Sequence, residues 1–341
     1  MTAITSKSSR SAAPSSALLV DNSSKRGKIV GDSSIVQHSV QSALDIHLTL
    51  RWWLTLSTIA VINIGIWTYS YYLILSNDRK GQGDTDGTSS SSSSSKDNDH
   101  PYQRYHLFLS GIYVFVCAYR SFLPRIDLER YCLFDTRLSS IFLGRLAATI
   151  AEISFAAQIA LFLYHIGEVH DHILTQRLAL CLVPAIFTAQ CFCWCGVVTL
   201  NHLYHAIEES IWAVSALFIG GAMGSLAYYQ PECCGRVGMV GMVMCMVFFI
   251  FMVTVDVPMY VKRWRAGQQY MMKMRMSKDD GGKKKQILYM NSFEGSIDAM
   301  ERRVVTKSWH VWKEETLWLT LYFSTAVWLS LLLIHKSVQN W

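Results

Sequence analysis

Apolar residues in this chain gather into runs long enough to cross a bilayer, at 53–75, 105–123, 139–164, 179–200, 207–229, 237–260 and 315–334. A hydrocarbon core needs roughly 20 such residues per helix. Inside it no water satisfies the backbone, so runs of this length form helices. The expected fold class is an all-α integral membrane protein of about seven transmembrane helices. The second run is the weakest, because Tyr119 and Arg120 occupy its last turn. Charge agrees: 16% of residues are charged, against about 25% in a soluble domain.

Twenty-three lysines and arginines flank the spans on the N-terminal side and seven flank them on the other. Positive charge stays in the cytosol, which puts the N-terminus there and, after an odd number of spans, the C-terminus on the opposite side. The expected organisation is a disordered basic, Ser-rich tail over 1–50 and a six-helix membrane region over 51–260, with a low-complexity loop at 77–100. A basic amphipathic cytosolic segment follows over 261–314, then the last helix and a short tail over 315–341. Residues 1–28 also match an organellar targeting segment in composition, and the membrane of residence stays open.

Within 262–314, Phe293, Ile297, Met300, Val304 and Val311 fall at helical spacing beside Arg302 and Lys307. A basic amphipathic helix of this kind is expected to meet anionic lipids of the inner leaflet. The expected partners are therefore the bilayer and those lipids. The charges are too interrupted for nucleic acid, and nothing indicates an oligomeric state.

The polar residues inside the runs carry the functional argument, because charge in hydrocarbon costs about 2.5–3.5 kcal/mol even on a mild scale. Arg145 and Glu152 are two turns apart on one helix face. That spacing is too long for a tight pair, so each is expected to find partners on neighbouring helices. No glycine or proline marks the junction from Thr199 to Glu209, where His202, His205 and Glu209 stand at i, i+3 and i+7. Two imidazoles and a carboxylate suit Zn or Fe, although the pattern is not HExxH. Gln190, Trp194, Asn201, His205, Glu208 and Trp212 form a second stripe.

Candidate roles follow from chemistry. Glu152, His205 and Glu209 are candidates for proton transfer, and His202, His205 and Glu209 for a metal. Arg120, Arg145 and Asp256 are candidates for holding a substrate, the guanidinium groups by gripping an anionic head. Pro258 is expected to free a carbonyl and bend its helix near Asp256, and Pro124 to open a new helix. Ion pairs are expected to lock the connection around 120–137, and Trp309 and Trp312 to anchor the last span at the interface. Cys193, like its neighbours Cys191 and Cys195, is read as a small apolar side chain. Cys233 and Cys234 are expected in a loop, the group His165 to His172 in solvent, and the methionines of 237–260 in irregular packing.

No GxSxG, P-loop or dinucleotide pattern is present, and the last run lacks the lysine that a retinal protein needs. Three classes stay open, and whether the chain is an enzyme is not decided. They are a membrane enzyme acting on a lipid or amphipathic substrate, a transporter or channel, and a sensor or scaffold. Polar groups gathered near one face favour the enzyme, since a transporter spreads them across the membrane.

Overall fold

The computed structural model describes residues 30–83, 99–276 and 289–335. The targeting segment, the serines Ser89 to Ser95 and the lysines Lys283 to Lys285 lie outside them. Two compact units divide the chain, Met1–Leu44 and Asp45–Trp341. In the first, the described residues are the start of helix α1 (Val30–Gly83), within the stretch assigned above to a tail. The second contains the rest of α1 and every other described element.

Those elements are α2 (Asp99–Phe122), α3 (Ile141–Val169), α4 (Ile173–Thr199), α5 (His202–Tyr229), α6 (Pro231–Phe251), α7 (Val257–Met276), α8 (Ser292–Glu301), α9 (Trp309–Leu321) and α10 (Val327–His335). Three two-residue strands, β1 (Arg125–Ile126), β2 (Tyr131–Cys132) and β3 (Val304–Val305), form a small sheet in that order. Among the described residues six helices are long and apolar enough to cross a membrane: Gln41–Ser76, Ile141–Val169, Ile173–Thr199, His202–Tyr229, Cys234–Tyr270 and Trp309–His335. The chain is an integral membrane protein in that sense. α2 falls short because polar residues such as Tyr102, His106, Ser110 and Tyr113 lower its hydropathy, and all four are buried.

α3 sits deepest, with 44% of its apolar window buried, whereas Cys234–Tyr270 has 11%. Met239, Met244 and Met246 consequently point outward, and only Met242 and Met252 pack as expected of this run. α6 and α7 join through a π-helical turn, Met252–Asp256. Pro258 has no N–H to offer the preceding turn, and the helix widens there to absorb the loss. A second π-helical turn, Tyr322–Ala326, joins α9 to α10. It leaves the Phe323 carbonyl to accept from Asn63 Nδ2 at 3.0 Å, while Trp328 Nε1 donates to Asn63 Oδ1 at 2.9 Å.

Only Leu200 and Asn201 connect α4 to α5. Leu200 adopts φ 58°, a left-handed conformation costing a branched residue about 1–2 kcal/mol. Asn201 then caps α5, its side-chain oxygen accepting from Leu203 N at 3.1 Å.

The sheet closes one end of the bundle. Pro124 leads into strand β1 and not into a helix, because Arg125 turns beneath α3 and donates to the Ser140 carbonyl at 2.6 Å. Arg130, at φ 60° and 1% exposed, donates to Asp298 Oδ2 at 3.0 Å and to the Asp127 and Val197 carbonyls at 2.9 Å. With Arg263–Glu129 at 3.6 Å and Arg303–Asp135 at 3.4 Å, these are the ion pairs expected of this connection. Gly295 lets α8 lie on the end of α4, where a Cβ would collide with the Val198 carbonyl.

The amphipathic stripe of this segment is shorter than its spacing suggests. Phe293, Ile297 and Met300 are exposed on α8, but the helix stops at Glu301; Val304 lies in β3 and Val311 in α9. Trp312 is fully buried, 5.5 Å from Trp52, and its Nε1 donates to the Thr306 carbonyl at 2.9 Å, so it is a core residue and no interface anchor. At the opposite end Cys234 is buried in the first turns of α6, 3.0 Å from His170 Nε2. His172 Nδ1 accepts from Thr175 N at 3.4 Å and caps α4. Both histidines tie helices together and are not merely solvated.

Candidate functional site

Two side-chain clusters share α3, α4 and α5 at the sheet end. In the first, Arg145 Nη2 donates to Glu152 Oε1 at 2.9 Å and to Gln190 Oε1 at 2.5 Å. Gln190 Nε2 donates to Glu152 Oε2 at 2.5 Å, which closes a ring of three. Thr149 donates to Gln190 Oε1 at 3.1 Å and accepts from Trp194 Nε1 at 3.0 Å. The direct ion pair corrects the expectation that these residues are too far apart. Seven residues rise roughly 10.5 Å, and a long arginine side chain and a glutamate reaching back cover that gap. Nη2 serves this pair and Gln190, while Nε is buried without a hydrogen-bond partner.

In the second cluster Cys193, His205 and Glu208, all buried, bring one donor atom each to within 4.8 Å of one another. Cys193 Sγ lies 3.8 Å from His205 Nδ1, and Glu208 Oε2 lies 2.9 Å from the same nitrogen. In a thiol-based catalytic triad the thiol and the carboxylate sit on opposite ring nitrogens, with the imidazole between them. Here both meet Nδ1, and three donors converge on one point as metal ligands do. The other ring nitrogen, Nε2, is buried without a partner. Gly196 admits the ring, since a Cβ there would stand 2.8 Å from Cδ2 and Nε2. The Tyr260 ring stacks on the far side, centroids 5.3 Å apart.

The donor set fits a tetrahedral ion. Ligand bonds of about 2.3 Å to sulfur and 2.0–2.1 Å to nitrogen give a sulfur–nitrogen edge of about 3.5 Å, close to the 3.8 Å found. The nitrogen–oxygen edge, 2.9 Å, is a hydrogen bond and opens by about half an ångström to reach the roughly 3.4 Å of such an ion. A thiolate among the ligands favours zinc over mononuclear iron.

His202 and Glu209 do not join this group, so the i, i+3, i+7 triad is replaced by Cys193, His205 and Glu208. Glu208 and Glu209 leave α5 about 100° apart, and only the former faces Cys193. Glu209 and Asp256 are half-buried and within electrostatic range of Glu208, giving the cluster an acidic margin. His202 is half-buried, its ring 6.3 Å from Tyr260. Arg120 lies 5.9 Å over the Phe323 ring and within electrostatic range of Glu152. Outside the spans, burial and then Asp135 raise the Cys132 thiol above its ordinary value, so it stays protonated and unreactive.

Cys193 is the member of the cluster that spacing along α5 does not point to. A usable signal existed: Cys193 stands seven residues before Leu200 and Glu208 seven after Asn201, so a tight two-residue turn sets them at one level. Comparison with protein families, with curated proteins and with solved structures finds no match for the chain.

Proposed function

We propose that the protein is a metal-dependent integral-membrane enzyme acting on a lipid or amphipathic substrate. The observation that carries this reading is the convergence of Cys193 Sγ and Glu208 Oε2 on one nitrogen of His205. Cys193, His205 and Glu208 would hold zinc through three protein ligands, the number found in catalytic sites, where the fourth position stays open. When bound, the ion supplies Lewis acidity and lowers the pKa of a coordinated water. The residues around it do the rest. Tyr260 and Gly196 fix the imidazole plane, and the Arg145–Glu152–Gln190 ring balances nearby charge. Glu209 and Asp256, half-buried at the margin of the cluster, are placed to exchange a proton there. An apolar groove of about 510 Å3 lies between α4 and α5, lined by none of the three candidate ligands, and would receive the apolar part of a substrate. Its lining includes Ile207 and Ile211, in the same turns of α5 as His205 and Glu208.

In this reading α2 is the seventh span, the N-terminus and the sheet end are cytosolic, and the C-terminus lies opposite. Exposed Phe293, Ile297 and Met300, followed by Arg302 and Arg303, then rest on the anionic inner leaflet. The deciding experiment is zinc analysis of detergent-purified protein after a mild chelator wash, beside Cys193→Ser and His205→Ala variants. Near-stoichiometric zinc that both variants lose is the expected result. A well-folded wild type without zinc overturns the metal reading.

A further inference from the structure

Arg125, Arg130 and Arg145 are buried at the sheet end, and two of the three carry a carboxylate partner. Arg130 meets Asp298 at 3.0 Å and Arg145 meets Glu152 at 2.9 Å. Arg125 is as deeply buried, at 3% exposure, yet among the described residues no acid pairs with it. A charge taken out of water is expensive unless an opposite charge compensates it. What surrounds Arg125 is neutral. Its Nη1 donates to the Ser140 carbonyl at 2.6 Å and to that of Leu138 at 3.4 Å. The Tyr119 ring covers the guanidinium, its centroid 4.7 Å from Cζ. Nε and Nη2 are buried with no hydrogen-bond partner. Those two nitrogens form one edge of the planar fork, and such an edge grips two oxygens of an anion side by side.

The position sharpens the deficit. The guanidinium lies on Gly144, in the first turn of α3, where a Cβ would collide with Nη1 and Cζ. A helix N-terminus carries partial positive charge and free N–H groups. A cation is the wrong sign to bury there, and an anion is the right one. Ser140, the N-cap residue, makes no capping bond, because its hydroxyl faces the Ala299 and Met300 carbonyls at 3.4 and 3.3 Å. Those carbonyls, at the end of α8, are dipoles and leave a formal charge unanswered. Leu138, just before α3, and Leu143 and Leu146, in its first turns, are exposed apolar side chains. That is the pattern expected where a span leaves the headgroup layer for hydrocarbon.

We propose that Arg125 and the first turn of α3 bind a phosphate group, carried by an anionic lipid at the sheet end of the bundle. Two phosphate oxygens accept from Nε and Nη2, and the helix terminus supports the same negative charge. Tyr119 is the cover that turns aside to admit it. Its side chain is half-buried, and its hydroxyl donates to the carbonyl of Leu138, a residue 58% exposed. No covalent bond changes. The site shares no residue with Cys193, His205 and Glu208, does not need zinc, and is tested separately.

The full-length protein in detergent is melted, followed by circular dichroism, with dioctanoyl phosphatidic acid, dioctanoylglycerol or sodium phosphate. The two lipids share their chains and differ by the phosphate. Wild type is expected to melt a few degrees higher with phosphatidic acid than with the diacylglycerol. Arg125→Gln and Gly144→Ala, the second of which fills the space under the guanidinium, should lose that excess, and Arg302→Gln, on the exposed end of α8, should keep it. Should Arg125→Gln fail to fold, Gly144→Ala decides. An equal rise with sodium phosphate alone supports the phosphate site and assigns it to the free anion. No excess in wild type, an excess retained in folded Gly144→Ala, or one lost equally in Arg302→Gln overturns the proposal.

Discussion

The two ends of the bundle bury polar groups in different ways. At the sheet end several groups are charged and ion-paired, Arg145 with Glu152, Glu208 with His205 and Arg130 with Asp298, although Arg125 hydrogen-bonds only to backbone carbonyls and His205 Nε2 has no partner. At the other end they are neutral hydroxyls, an amide and histidines, and His106 is left without a partner. The cost of charge in hydrocarbon enforces the first pattern. Neutral dipoles tolerate the second, because an interhelical hydrogen bond in a membrane contributes only about 0.6 kcal/mol on average. The candidate metal ligands gather where charged groups are paired, whereas the other end leaves the fully buried His106 ring without a hydrogen-bond partner.

That contrast breaks most readily at Arg145. Arg145→Met leaves Glu152 buried and unpaired, and breaking such a pair costs about 3–5 kcal/mol. The expected outcome is a large fall in melting temperature in detergent. Adding Glu152→Gln should recover much of it, and failure to recover would mean that charge pairing is not what organises this end. A smaller loss is expected from Gly196→Val, which pushes against the His205 ring and costs about 1–3 kcal/mol as overpacking. It should also release zinc, read by elemental analysis. Gln158→Leu, in the neutral half, should cost no more than about 1.7 kcal/mol; a melting loss as large as that of Arg145→Met would erase the distinction. Least affected is Glu301→Ala, at an exposed position, where surface changes stay within about 0.5 kcal/mol. Glu152→Ala must exceed it clearly in the same melt, or Glu152 does not belong to the core.

Much of the fold could be read without coordinates. Long apolar runs have few ways to satisfy their backbone, so the spans near α1, α3, α4, α5, α6 and α10 follow from composition and length. The break at Pro258 follows from a missing N–H. α2 is the instructive exception: its polarity lowers its apolar score, yet that polarity is what it turns inward. A one-dimensional measure cannot separate a polar helix facing water from one facing protein.

The candidate site was half legible. His205 stood out because a histidine and carboxylates inside apolar sequence demand partners, and helical spacing named the right stretch of α5. Spacing along one helix cannot report what a second helix brings. In sequence Cys193 reads as an ordinary apolar thiol, and the i, i+3, i+7 spacing from His202 selects Glu209 while Glu208 falls on the second stripe. The sequence by itself determined that charge is buried among membrane helices and must be compensated. Tertiary structure alone decided which groups compensate it. The left-handed turn at Leu200 sets the register of α4 against α5, and a rotation of about 100° per residue then selects Glu208 for the cluster and leaves Glu209 at its margin.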